Sequence, residues 1–89
     1  MQAANVTIVN RLGLHARAAA KFVNLAKTFS STITLTKGGE TADGKSIMSV
    51  MLLAAPVGTE LNLSVSGADE AEAFAALQEL IANRFGEEE

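Results

Sequence analysis

The run Leu61-Asn62-Leu63-Ser64-Val65-Ser66 alternates apolar with polar side chains without a break, the period of a β-strand buried on one face and wet on the other. Thr32 to Lys37 repeats the pattern, with Ile33 and Leu35 set against threonines whose β-branched side chains suit a solvated strand face. Val6 to Val9 places Val6 and Ile8 on one side and predicts a third strand. Gly38-Gly39 signals a hairpin that returns as a short fourth strand, Glu40 to Ala42. Strands with one wet face belong to an antiparallel sheet whose other face is covered by helices. Helical spacing occurs in Ala19, Phe22, Val23 and Ala26, which predicts an amphipathic helix from Ala16. It recurs in Phe74, Leu77, Leu80, Ile81 and Phe85, where Asp69 and Glu72 have capping-box spacing and Gly86 stops the helix. Between them Ser46 stands as N-cap to the run Ile47 to Ala54, which Pro56 and Gly58 end. The order βαββαβα specifies an α+β fold, an open-faced two-layer sandwich with a four-stranded antiparallel sheet and three helices on one face.

At 89 residues the chain is expected to form one domain, 1–89, with Glu87 to Glu89 as a frayed tail because carboxylates are unfavourable at the negative end of a helix dipole. No apolar run approaches the roughly 20 residues of a membrane span, and Met1 to Asn5 lacks the basic region and following apolar stretch of a secretory signal. A cytoplasmic protein without membrane insertion is therefore expected. With one histidine and no cysteine, zinc clusters and thiol chemistry are excluded, and neither a metal nor a cofactor is expected. The charge is uneven: six cations and two carboxylates up to Lys45 give +4, whereas one cation and eight carboxylates beyond it give −7. The electropositive half suits a phosphorylated or acidic partner. Nucleic acid is not indicated, because the four aromatics are all phenylalanines at core-like positions and no basic cluster is dense.

The one histidine, His15, falls where Gly13 lets the chain turn from strand into helix. A neutral imidazole has one nitrogen free to attack. If it took a phosphoryl group, the N–H groups of Ala16 and Arg17 at the helix start could hold the phosphate oxygens, with Arg17 adding a fixed charge and forked donors. The plainer role for His15 is that of a helix cap. Ser46 repeats the logic: a phosphate there would meet a helix N-terminus and Lys45, though capping alone also accounts for a serine at that place. In the helix it opens, Val50, Leu53 and Ala54 form one apolar arc and Ile47, Met48, Met51 and Leu52 another. So short a helix cannot bury both. The second arc is either a docking surface or gap-filling core, and periodicity alone does not choose.

Gly13-Leu14-His15-Ala16-Arg17, followed by Gly44-Lys45-Ser46-Ile47-Met48-Ser49-Val50-Met51, resembles the HPr family, the histidine-containing phosphocarriers of the bacterial phosphotransferase system. The likeness covers essentially the whole chain, including the Ser66-Gly67-Ala68-Asp69-Glu70 turn. It implies a stoichiometric phosphoryl carrier, not an enzyme, that takes a phosphoryl group from enzyme I on the Nδ1 of His15, steadied by Arg17, and hands it to enzyme IIA of a sugar permease. It further implies sheet order 1-4-2-3, regulation at Ser46 by an HPr kinase/phosphorylase, and a monomer. The partner surface it implies comprises Ala16, Ala20, Lys45, Ile47, Met48, Met51 and Leu52. Ala18 stands where the family usually has proline and Ser49 where glycine is common. Two alternatives remain: the related nitrogen-linked branch, which the intact Lys45-Ser46-Ile47-Met48 disfavours, and a regulatory binding module switched at Ser46.

Overall fold

A computed structural model describes all 89 residues. The chain runs through β1 (Gln2–Thr7), α1 (Ala16–Ala26), β2 (Thr32–Lys37), β3 (Glu40–Asp43), α2 (Ile47–Leu52), β4 (Glu60–Ser66) and α3 (Glu70–Ala82), and ends in a tight turn over Arg84–Gly86. The strands form one antiparallel sheet in the order β1-β4-β2-β3, as the resemblance implies. Because β4 pairs antiparallel with both β1 and β2, those two run in the same direction. Strands so related need a crossover and not a hairpin, and α1 supplies it.

Register explains why the helices cover one face. Ala4, Leu63, Leu35 and Ala42 lie in one row across all four strands, with Val6 beside Leu61 and Ile33 beside Val65 in the flanking rows. That face joins Ala19, Phe22 and Val23 of α1, Val50 of α2, and Ala73, Leu77 and Ile81 of α3 in a single core. On the opposite face Asn5, Asn62, Thr36 and Thr41 form the matching row. There Asn62 Nδ2 donates to Asn5 Oδ1 at 3.2 Å, and the Thr36 and Thr41 hydroxyls are 3.1 Å apart. No helix is long and apolar enough to cross a membrane.

Two local expectations change. The first strand, read as Val6 to Val9, is Gln2–Thr7. Gln2 to Asn5 has little apolar signal, but β4 is a long central strand whose backbone groups need partners, and it pairs with all of Gln2–Thr7. Ile8 stays buried, donating its N–H to Thr59 O at 2.9 Å and accepting from Gly58 N–H at 2.7 Å.

The expected capping box at α3 does not form, since the Asp69 side chain makes no capping bond. Its carboxylate instead accepts from the Ser31 hydroxyl, from Ser30 N–H at 2.9 Å and from Ser31 N–H at 3.0 Å, tying the α1–β2 connection to the start of α3. Glu70 reaches back to accept from Gly67 N–H at 3.2 Å. The Ser31 hydroxyl above all, then the two backbone donors, hold the Asp69 carboxyl below its ordinary 3.8. A depressed folded value means stability present above the unfolded value and lost as pH falls through the folded one. Asp69→Asn should therefore lower the urea midpoint at pH 7, and the gap to wild type should narrow as the pH falls below about 4. A gap that stays constant down to acid pH in urea titrations would show that the carboxylate charge is not what matters.

Candidate functional site

β1 delivers the chain to a turn built around a buried asparagine. The inward parity of Val6 and Ile8 continues to Asn10, which is fully buried. Asn10 Nδ2 donates to Gly13 O at 2.7 Å, and Gly13 N–H returns a bond to Asn10 O at 3.1 Å. Gly13 has φ 72°, and a Cβ there would lie 2.7 Å from Ala55 O and 2.8 Å from Pro56 Cα. Leu14 N–H donates to the same Ala55 O at 2.8 Å and its side chain is buried, so the turn is fastened to the α2–β4 connection. His15 follows in an extended conformation, φ −79° and ψ 178°, and its carbonyl accepts the first helical bond of α1 from Ala19 N–H at 2.8 Å. The imidazole makes no capping bond, so the plainer of the two roles open to it in the sequence is not the one it plays.

Its partner is the C-terminal tail. His15 Nε2 is hydrogen-bonded to Glu87 Oε2, and the other oxygen of that carboxylate accepts from Asn10 Nδ2 at 2.9 Å. Nδ1 has no hydrogen-bond partner in the chain. Glu89 pairs with Arg11 Nε at 2.8 Å and accepts the Arg11 backbone N–H through its backbone oxygen. The Asn10 bond first, with the His15 contact and the nearby Lys21 charge adding to it, holds the Glu87 carboxyl below its ordinary range against the opposing effect of burial.

Glu87 to Glu89 are thus not a frayed tail. Arg84, Phe85 and Gly86 take φ of 57°, 54° and 79°, reversing the chain after α3 and carrying the carboxylates from the negative end of α3 to the positive end of α1. Two left-handed non-glycine residues cost together about 2–4 kcal/mol. Full burial of the Phe85 ring contributes about 1.5–3 kcal/mol, and Lys21 Nζ donates to Phe85 O at 2.7 Å. The surroundings of His15 are therefore not the uniformly positive patch that the charge division suggests.

Arg17 is exposed, lines the same cleft as His15, Ala16 and Lys21, and makes no ion pair within the chain. Ala20, one turn further along α1, is half-buried, and Ala18 is fully buried. Ser46 caps α2, its hydroxyl accepting from Ser49 N–H at 3.3 Å. The ammonium of the neighbouring Lys45 donates to Phe29 O at 2.7 Å, beyond the end of α1. In α2 Val50 and the following Leu53 enter the core, whereas Met48 is 69% and Leu52 70% exposed and Ile47 and Met51 are 40% exposed. Ala54, placed on the inner arc by spacing, faces outward at φ 51° because the helix has already ended. The α1 and α2 helices touch, so this apolar arc and the His15 cleft belong to neighbouring elements.

Asn10, Lys21 and Glu87 were not singled out in the sequence. For Asn10 a signal existed, a polar residue at the inward parity after Val6 and Ile8. For Glu87 none was local, since its partners lie more than seventy positions away.

Gly13→Ala should cost about 1–3 kcal/mol through overpacking against Ala55 and Pro56 and the left-handed φ. The same change at Gly38, where a Cβ would meet nothing within 4 Å, controls for φ alone. Equal urea midpoints for the two variants would refute the close-approach argument.

A family model described as the PTS HPr component phosphorylation site matches residues 2–83. The phosphocarrier protein HPr of Cupriavidus necator is 53% identical over 85 residues, 96% of each chain. That of Pseudomonas aeruginosa is 53% identical over 90 residues, covering both chains in full. The crystal structure of HPr-C-His from Thermoanaerobacter tengcongensis matches with a TM-score of 0.96 at 45% identity, again over both chains in full. Crh of Bacillus subtilis, described as a swapped dimer, matches at 0.76 and 42% identity over 83% of this chain and 85% of that one. With the family model spanning the chain from β1 to α3 and relatives of this identity over essentially its whole length, the chain belongs to the HPr family, the phosphocarrier proteins of the phosphotransferase system.

Proposed function

We propose that His15 is the phosphoryl acceptor, charged by phosphorylated enzyme I and discharged to enzyme IIA of a sugar permease, in a cytoplasmic monomer that acts as a stoichiometric carrier and not as an enzyme. The observation that carries this is the imidazole at the start of α1, with Nε2 engaged, Nδ1 unpartnered, and the Arg17 guanidinium unpaired in the same cleft. The first-turn N–H groups of Ala16 and Arg17 have no intrahelical partners and suit phosphate oxygens. Ala18, in place of the usual proline, is buried in that turn without disturbing it.

Docking is assigned to the exposed Ile47, Met48, Met51 and Leu52 together with Ala16, Ala20 and Lys45. The favourable feature is a patch of flexible apolar side chains that can repack against more than one partner. Phosphorylation of Ser46 by an HPr kinase/phosphorylase would replace its capping hydroxyl with about two negative charges beside Met48. The intact Lys45-Ser46-Ile47-Met48 favours the sugar system over the nitrogen-linked branch, with Ser49 the departure that bears on partner preference.

Incubation with enzyme I and phosphoenolpyruvate should give an acid-labile, alkali-stable phosphoprotein, and His15→Ala should abolish it. An unchanged yield in that variant rejects the assignment. Met48→Asp should keep the fold by circular dichroism and weaken transfer from enzyme I at least tenfold, as loss of a central apolar anchor does. If Met48→Asp transfers normally, the docking surface lies elsewhere.

A further inference from the structure

We propose that Glu87 is a positioning residue for phosphoryl transfer: its carboxylate takes the Nε2–H of His15 and so turns Nδ1 toward the incoming group. The inference rests on the assignment of His15 as acceptor and deepens it. The segment lies beyond residue 83, where the match to the family model ends.

The contact is built and not incidental. Glu87 is held from its second oxygen by the amide of Asn10, a fully buried residue whose nitrogen serves two acceptors, Gly13 O and Glu87 Oε1. That pair of acceptors also fixes which way the amide faces, since only its NH₂ end can donate to both. The three successive left-handed residues aim the tail, the buried Phe85 ring and the Lys21 bond to Phe85 O anchor it, and Glu89 closes it onto Arg11. The Glu87 side chain is left only 15% exposed and that of His15 29%.

Chemically, a neutral ring that donates Nε2–H to a carboxylate carries its lone pair on Nδ1. In the transfer step that lone pair forms the N–P bond while the bond from phosphorus to the donor breaks, its electron pair leaving with the donor. No proton leaves the ring, so the imidazole becomes cationic. Its Nε2–H then presents that charge to the Glu87 carboxylate, much as a buried aspartate steadies the imidazolium of a catalytic triad. Arg17, unpaired in the same cleft, is left free to meet the phosphoryl oxygens.

The test uses the full-length chain, ¹⁵N-labelled, as wild type, Glu87→Gln and Glu87→Ala. Wild type should give a His15 Nε2–H proton resonance protected from exchange with water. Glu87→Gln, which keeps an acceptor oxygen but no charge, should retain it in weakened form, and Glu87→Ala should lose it. Transfer from phosphorylated enzyme I should slow about tenfold in Glu87→Ala, with Glu87→Gln between. The proposal is overturned if wild type and Glu87→Ala give the same Nε2–H behaviour, or if their transfer rates are equal. Failure of the wild type itself to take phosphate at His15 would instead reject the acceptor assignment, with the resonance comparison still deciding whether Glu87 orients the ring.

Discussion

Because β4 lies between β1 and β2 and runs against both, the chain leaving β1 must cross the sheet before it can form β2. That constraint sets the position of His15. The crossover has to be a helix with its apolar stripe on the sheet, so Ala19, Phe22, Val23 and Ala26 fix its rotation, and its N-terminus falls where β1 ends. The connection of only a few residues must then reverse direction in little space. Asn10 and Gly13 do this, one by folding its amide back onto the turn and the other by letting Ala55 and Pro56 approach where a side chain would stand. The histidine is thus presented by packing that begins in the middle of the sheet.

Periodicity made most of this fold legible. β2 and β4 alternate without interruption, and α1 shows a clean 3.6-residue stripe, because each has one wet side against which the buried side stands out. What stayed illegible was long-range. The start of β1 carries almost no pattern of its own and is recruited by its pairing partner. Asp69 has the chemistry of a helix cap but finds three donors at Ser30 and Ser31, and no sequence spacing distinguishes those competing acceptor roles. The tail is illegible for the same reason. Three glutamates after a helix are unfavourable where they stand in sequence, and only the fold reveals that a different helix N-terminus lies within reach.

The α2 helix illustrates ambiguity of another kind. With both arcs apolar, a helical projection cannot say which one meets the core. The tertiary contacts decide it: α2 packs on α1 and β3 with Val50 and Leu53 buried in the core, and Lys37 Nζ donates to Leu53 O and Ala54 O, both at 3.0 Å, closing the helix's C-terminal end. This leaves Met48 and Leu52 outward on an element too short to bury more. The exposed arc is a consequence of where the helix is tethered, and its neighbour across the α1 contact is the element that begins at His15.

The charges around His15 divide in a way that composition alone conceals. Arg11 is taken by Glu89, Lys21 by the Phe85 carbonyl, and the Asn10 amide by Gly13 and Glu87. Arg17 is left as the cation of the cleft with no partner in the chain. The positive potential of the cleft thus comes from the Arg17 guanidinium, from the Lys21 ammonium, whose charge a neutral carbonyl does not cancel, and from the first-turn N–H groups of α1, with Glu87 and Glu89 offsetting part of it. A diffuse field would attract any polyanion and hold it by charge alone. On the proposed assignment of His15, an unpaired guanidinium fork beside an imidazole held by Glu87 adds geometry to charge in choosing the anion.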